Sequence, residues 1–213
     1  MGTDAAEAAE GSGTTLVVLL AAGAGSRFAG PVHKLLADPG TGVTVAGAAL
    51  DHAIAAGVGD VVVITGAADL TDIVASRAAT DGNLVRLVHN ERWADGQSTS
   101  LQTAIDEARR CDASAVVVGL ADQPFVDPEA WRRVAAGTAP ISVATYHGRR
   151  RNPVRLHRSV WAALPTEGDE GARSLLRMRP GLVEEIPCPG SPEDIDTLED
   201  LESWQNRSST NSP

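Results

Sequence analysis

Four groups of residues have the types and spacing to handle a phosphorylated ligand. The first lies in LLAAGAGSRFAGPVHKLL, residues 19–36, where an apolar run ends at Ala21-Ala22-Gly23-Ala24-Gly25 and two cations follow, Arg27 and Lys34. Gly23 and Gly25 can turn backbone N–H groups inward on an anion. Arg27 offers a planar fork to phosphate oxygens, and Lys34 a movable point charge. An ordinary turn is the competing reading, because 21 glycines make a chance GxG cheap. The dinucleotide pattern GxGxxG fails at Phe28, and no Gly-Lys-Ser/Thr of a P-loop occurs.

The second group is VVVGLADQP, which sets Asp122 immediately beyond an apolar run, with Pro124 blocking regular continuation. A carboxylate there suits a hard cation, since Mg²⁺ takes one or two carboxylates plus phosphates and waters. A cap or turn acid is the alternative. The third is Asp196 in EDIDTLEDL, one of six acids between Glu193 and Glu202, most of which capping and solvation explain. The fourth is Asn90 with WADGQSTSL, a polar junction entering a helix whose first N–H groups can accept phosphate or a base. Simple N-capping by Ser98 competes with that reading. Arg149, Arg150 and Arg151 form a basic run in HGRRRNP, either a solvated tip or a contact for an anionic substrate. No convincing Ser-His-Asp or Cys-His set accompanies these groups.

The elements that must position them are legible as apolar runs at Leu16–Leu20, Val61–Ile64, Leu84–Val88, Ala115–Leu120 and Ile141–Ala144. Ala-rich segments with helical spacing lie between them. Thr44 to Ala56 places Val45, Ala48, Ala49 and Ile54 broadly on one side, and 98–110 repeats Leu101, Ile105 and Ala108. Asp127-Pro128 reads as a cap with proline at the first helical position. Thr197-Leu198-Glu199-Asp200 reads as a capping box with Asp in place of Glu or Gln. Continuously apolar strands alternating with helices predict a single doubly wound α/β domain, its mainly parallel sheet covered by helices on both faces. HGRRRNP, between two extended stretches, predicts a hairpin turn and a small antiparallel excursion. Ligands of such sheets bind where the strands end and strand order reverses. That singles out Gly23–Lys34, Thr65-Gly66, Asn90–Ser100 and Asp122-Gln123-Pro124.

The bulk numbers agree with one domain. The chain has 213 residues, 43% of them apolar, enough for a real core. No apolar run approaches the roughly 20 residues that span a bilayer. The opening MGTDAAEAAEGSG lacks the features of a secretory signal and predicts a disordered lead over 1–13. The domain then occupies 14–204, with a flexible tail over 205–213. Cys111 and Cys188 are far apart and in no metal-type spacing, which predicts a reduced, cytoplasmic protein. A net charge of -10 argues against a nucleic-acid surface but leaves room for a nucleotide, which needs only local cations.

Taken in order, LAAGAGSR with Lys34-Leu35-Leu36, then NERWADGQSTSL, LADQP, NPV, GDEGAR and DIDTLEDL resemble the MobA-like nucleotidyltransferase family, most of all its molybdenum cofactor cytidylyltransferases. The resemblance runs from about Leu16 to Leu201. It implies a nucleotide-diphospho-sugar-transferase-like fold and Mg²⁺-dependent transfer of a nucleotidyl group to a phosphorylated acceptor, with release of pyrophosphate. On that resemblance Ala21 to Gly25 touch base and phosphates, Arg27 and Lys34 grip the triphosphate, and Asp122 and Asp196 hold the metal. Gly66, Asn90 and Ser98 match positions near the nucleotide, and Arg151 and Asn152 positions near the acceptor. Three departures are visible. Lys34 falls two positions later than in the family's Arg-Met-Gly-x-x-Lys, which predicts a bulged loop with His33 near the phosphates. Asn152 stands where a histidine commonly precedes the proline, and Leu198 replaces a frequent proline. Ala22 leans toward CTP, because the guanylyl branch has Gly-Gly there. The resemblance thus implies CMP transfer from CTP to the phosphate of molybdopterin. Guanylyl or other transfer to a different phosphorylated molecule, and a nonenzymatic partnership with a molybdoenzyme client, remain open.

Overall fold

Alternation along the first strand explains the whole arrangement. In β1 (Thr15–Ala21), Leu16, Val18 and Leu20 face one core cluster while Val17, Leu19 and Ala21 face the other. A strand buried on both faces needs apolar residues at every position, and burying each such side chain contributes about 1.5–3 kcal/mol. The same holds for β2 (Val61–Thr65) and β5 (Ala115–Leu120), which flank β1 in parallel. The structure, a computed structural model, describes residues 13–210 apart from 39, 41, 78, 81 and 82. Most of the proposed lead and the end of the proposed tail lie outside the described residues.

The remaining strands are β3 (Ala79–Thr80), β4 (Asn83–His89), β6 (Ile141–Tyr146), β7 (Arg149–His157) and β8 (Val183–Pro187), in the sheet order β3-β4-β2-β1-β5-β7-β6-β8. Only β7 and the short β3 run against the others. The chain therefore leaves β1 outward through β2 and β4, then returns to β5 on the far side of β1. Strand order reverses between β1 and β5, where Leu20 lies level with Leu120. That crevice is where such sheets bind ligands.

Helices cover both faces. α1 (Val45–Ala55), α2 (Thr71–Ala75), α4 (Pro128–Ala135) and α6 (Leu198–Thr210) pack on the Leu19 side; α3 (Gln97–Arg110) and α5 (Arg173–Met178) pack on the other. Thr44 caps α1 by accepting from Gly47 N–H at 3.1 Å. Asp127 caps α4 through Glu129 N–H at 2.7 Å, with Pro128 in the first turn. At α6 the capping box forms with its aspartate: Asp200 accepts from Thr197 N–H at 2.8 Å, and Thr197 Oγ1 accepts from Asp200 N–H at 3.2 Å. No helix among the described residues is long and apolar enough to cross a membrane.

Several expectations need correction. The buried face of α1 is Val45, Ala46, Ala49, Leu50 and Ala53, with Ala48 and Ile54 at its margin. Ser98 does not cap α3, which starts at Gln97 after Gly96 at φ 109°. The hairpin turn is His147-Gly148, both at positive φ, so the three arginines and Asn152 belong to β7 rather than to a turn. Strand β8 is absent from the sequence reading because VEEIP is short and charged, as a strand with one exposed edge permits. α6 continues through Gln205 to Thr210, past the boundary at 204.

Candidate active site

The loop after β1 is built around two interactions that its sequence does not advertise. Phe28 N–H donates to Gly25 O at 2.9 Å, closing a turn that needs Gly25 at φ +63°, and the Phe28 ring is buried in the core. His33 Nδ1 accepts from Leu35 N–H at 3.2 Å, so Nε2 carries the proton and donates to Gly23 O at 3.0 Å. His33 thereby pins the loop and caps the short 3₁₀ turn Lys34–Leu36. The two extra residues before Lys34 are absorbed this way.

Lys34 consequently turns inward and is only 8% exposed. Its Nζ donates to Asp122 Oδ2 at 2.6 Å and to Asp196 Oδ1 at 2.8 Å. Burial works against its charge, but Asp122 and then Asp196 outweigh it and hold the ammonium above its ordinary range. Arg27 Nη2 reaches Asp196 Oδ2 at 2.9 Å from a mostly exposed side chain. Asp122 leaves β5 at the level where Ala121 N–H donates to Leu20 O at 2.9 Å. Asp196 is brought there from the far end of the chain by Ile195, whose N–H donates to Asp122 O at 2.8 Å. Asp200, the α6 capping acid, also accepts from Asp196 N–H at 3.0 Å.

A cavity of about 190 Å³ is lined by Ala21, Gly23, Gly25, Arg27, Lys34 and the two aspartates. A second, of about 330 Å³, opens on the other side of Gly23 between Ala22, Ala24, Trp93, Gln97, Ser100 and Asp169, and shares Asp122. A Cβ on Gly23 would meet nothing within 4 Å, so that loop face is open space.

Other expected residues lie elsewhere. Gly66 packs beneath the site: a Cβ there would come within 2.5 Å of Trp93 Cβ and 2.8 Å of Ala22 O. Asn90 is buried, its amide donating to Thr99 Oγ1 at 2.9 Å and Ser100 Oγ at 3.0 Å, so it braces the α3 entrance. Ser98 is wholly buried, and its N–H donates to Gly168 O at 2.9 Å. Neither lines the two cavities. Asn152 borders a narrow cavity of about 50 Å³ and donates to Gln123 Oε1 at 3.3 Å. Exposed Arg151 lines a separate cavity of about 570 Å³ with His147, Arg149 and Asp194.

Sequence reasoning gave no individual site role to Gln123, Asp194, Trp93 or Asp169, although Gln123, Trp93 and Asp169 lie in stretches it singled out. Gln123 Nε2 donates to Asp194 Oδ1 at 2.7 Å, tying the 192–196 segment to the end of β5. Burial, followed by the nearby Asp122 charge, pushes the Asp194 carboxyl above the usual range. Trp93 carried a signal, being one of few aromatics and set in a polar junction.

Comparison with known proteins adds one decisive match: the MobA-like NTP transferase domain family fits residues 17–184. The chain belongs to that family. It is a nucleotidyltransferase of the MobA-like type. Rv0371c of Mycobacterium tuberculosis H37Rv is 29% identical, with a TM-score of 0.72 over 91% of this chain and 98% of that one. A structure of Rv0371c in complex with manganese matches at 28% identity and TM-score 0.69, over 91% and 98% of the two chains. Nicotine blue oxidoreductase of Paenarthrobacter nicotinovorans is 32% identical over 86% of this chain and 93% of its own length. The fold is also that of a nucleotidyl transferase from Methanothermobacter, with a TM-score of 0.76 at 24% identity over 95% and 100% of the chains.

Of these neighbours, Rv0371c has a structure that holds manganese. The residues here fit such an ion. Two carboxylates converge on a single cationic atom, and Asp122 Oδ1 is buried without a hydrogen-bond partner. Among the described residues no cluster of three or more metal-type side chains forms. Two carboxylates supplemented by phosphate oxygens and water are what Mg²⁺ or Mn²⁺ ordinarily accepts.

Proposed function

We propose that the protein transfers a nucleotidyl group, CMP from CTP, to the phosphate of a molybdopterin-type acceptor and releases pyrophosphate. The observation that supports this most is the convergence of Asp122 and Asp196 on Lys34 beside the open face of the glycine loop. In this reading the triphosphate lies along Gly23–Gly25, with Arg27 and Lys34 on its oxygens. The base enters the 330 Å³ cavity beside Trp93, where Gln97 and Ser100 supply polar atoms. Asp122 and Asp196 would hold Mg²⁺, which would neutralise phosphate charge and polarise the α-phosphoryl group.

The acceptor phosphate attacks the α-phosphorus in line, and the bond to the pyrophosphate oxygen breaks. A phosphate monoester has its second pKa near 6, so at neutral pH it is mainly dianionic and needs no general base. The work of the protein is to hold two polyanions together and to offset charge on the leaving group. Arg27 suits that task because its side chain is largely exposed, and it would exchange its ion pair with Asp196 for the outgoing phosphates.

The test incubates the purified protein with Mg²⁺, each of the four NTPs and molybdopterin, and measures pyrophosphate. Release that requires CTP and the pterin together supports the reading. Release with GTP, or only with another phosphorylated acceptor, selects the same chemistry on other substrates. Silence everywhere favours a nonenzymatic partnership with a molybdoenzyme.

The 32% relative favours a second reading, an oxidoreductase. A nicotinamide dinucleotide also carries two phosphates that the glycine loop can meet. Adding NADH or NADPH with a quinone-type dye to the same protein separates the two: oxidation of the nicotinamide without pyrophosphate release selects the reductase.

A further inference from the structure

Lys34 sits between the two carboxylates that would hold a divalent ion. Its Nζ lies 2.6 Å from one Asp122 oxygen and 2.8 Å from one Asp196 oxygen, close enough to bond both. An ammonium at those distances leaves no room between the carboxylates for a second cation. The pair is also sheltered, with the Lys34 side chain 10% exposed and each aspartate 20% exposed, so water screens it weakly. The third nearby carboxylate, Asp194, is held aside by Gln123. Asp122 Oδ1 stays buried and unpartnered, an oxygen the ammonium does not satisfy.

We propose that Lys34 is a positioning residue that exchanges places with the metal. Without nucleotide, its ammonium stands in for the ion and keeps the two aspartates together. When the divalent ion arrives with a nucleotide, Nζ leaves the carboxylates and moves to the phosphate oxygens, while the ion takes the carboxylates. Displacing the ammonium without an anion to receive it would crowd the ion, Lys34 and Arg27 around two carboxylates, four positive charges against two negative. The ion alone therefore binds weakly, and ion and nucleotide bind with strong positive coupling. This rests on the nucleotidyltransferase reading for the presence of a nucleotide, but its test needs no transfer.

Mn²⁺ is titrated into the protein and free ion is read by electron paramagnetic resonance, with and without CTP or GTP and with no acceptor present. In the wild type, nucleotide is expected to tighten protein-bound Mn²⁺ by on the order of ten-fold or more. Lys34→Met, which keeps the stem and removes the charge, is expected to bind Mn²⁺ alone on the order of ten-fold more tightly than the wild type, and to lose most of the coupling. Melting provides a second readout: Lys34→Met should melt lower than the wild type without metal, from repulsion between the aspartates, and recover on adding Mn²⁺. Equal or weaker binding of Mn²⁺ alone by Lys34→Met overturns the exchange, as does a wild type whose Mn²⁺ affinity ignores nucleotide. Coupled binding here, together with no pyrophosphate release in the assay that supplies an acceptor, would keep the exchange and reject the transferase reading.

Discussion

In the parallel half of the sheet, Leu20 and Leu120 lie side by side near the strand ends, and within two residues of each comes a site segment, Ala21–Gly25 and Asp122. In the β6–β8 excursion no such level exists. There β7 runs against its neighbours, its register with β6 shifts between Val143 and Ala144, and its charged residues Arg149–Arg151 face solvent. Arg150 pairs across the surface with Glu185, and Glu184 binds the Thr138 and Ala139 N–H groups. The first region fixes side chains by packing, the second by exposed polar contacts. Residues that must meet within tenths of an ångström belong on the first kind of support; residues that greet a variable ligand are tolerated on the second.

The contrast breaks most visibly at Asp122. Asp122→Ala should lower pyrophosphate release on the order of 10²–10³-fold, the usual effect of losing a main electrostatic partner in such chemistry. Its melting temperature should fall, because the buried Lys34 ammonium then keeps only Asp196, but the fold should persist, because the bond that anchors Ile195 uses the Asp122 backbone carbonyl. A folded variant that retains full turnover would remove Asp122 from the site.

Leu19→Ala tests the packing half. Leu19 is 1% exposed in the central strand, and its truncation should cost about 2–5 kcal/mol in denaturant unfolding. A loss under half a kilocalorie would mean the strand is not held by its core. Asp200→Ala should cost about 1 kcal/mol through loss of its half of the capping box with Thr197. It should also lower turnover, since Asp200 accepts from Asp196 N–H. Unchanged kinetics in a destabilised variant would show that Asp196 is held by Ile195 alone.

The smallest effect is expected in the excursion. The N–H groups of Ala139 and Thr138 hold the Glu184 carboxyl below its ordinary value of 4.5. A depressed folded-state pKa adds stability above the unfolded value and loses it as pH falls through the folded one. Acid unfolding of the wild type should therefore steepen below about pH 4.5, and Glu184→Gln should flatten that part of the curve. An identical acid profile would show that those contacts do not persist in solution.

What the sequence made legible follows the same division. Runs such as Ala115–Leu120 are unbroken because both faces are buried, so their strands and the residues just beyond them could be read directly. Lys34, Asp122 and Asp196 were each visible as types. Their meeting depended on His33 folding the loop back and on Ile195 crossing to Asp122, long-range contacts with no local signature. Ser98 misled because a serine before an apolar repeat looks like a cap, whereas Gly168 satisfies that helix end from another loop. Asn90 looked like a ligand contact for a similar reason: its partners Thr99 and Ser100 are brought to it only by the fold. The arginines of β7 read as a turn because three exposed cations resemble a loop more than a strand.

In the proposed reading Asp122 and Asp196 bind one divalent ion together with the nucleotide phosphates. Crystals grown with Mn²⁺ and CTP, measured at the manganese absorption edge, test it most directly. One anomalous peak is expected, ligated by both carboxylates and by phosphate oxygens, with Lys34 moved onto the phosphates. A nucleotide bound while Lys34 still bridges the two aspartates, with manganese elsewhere, would contradict it.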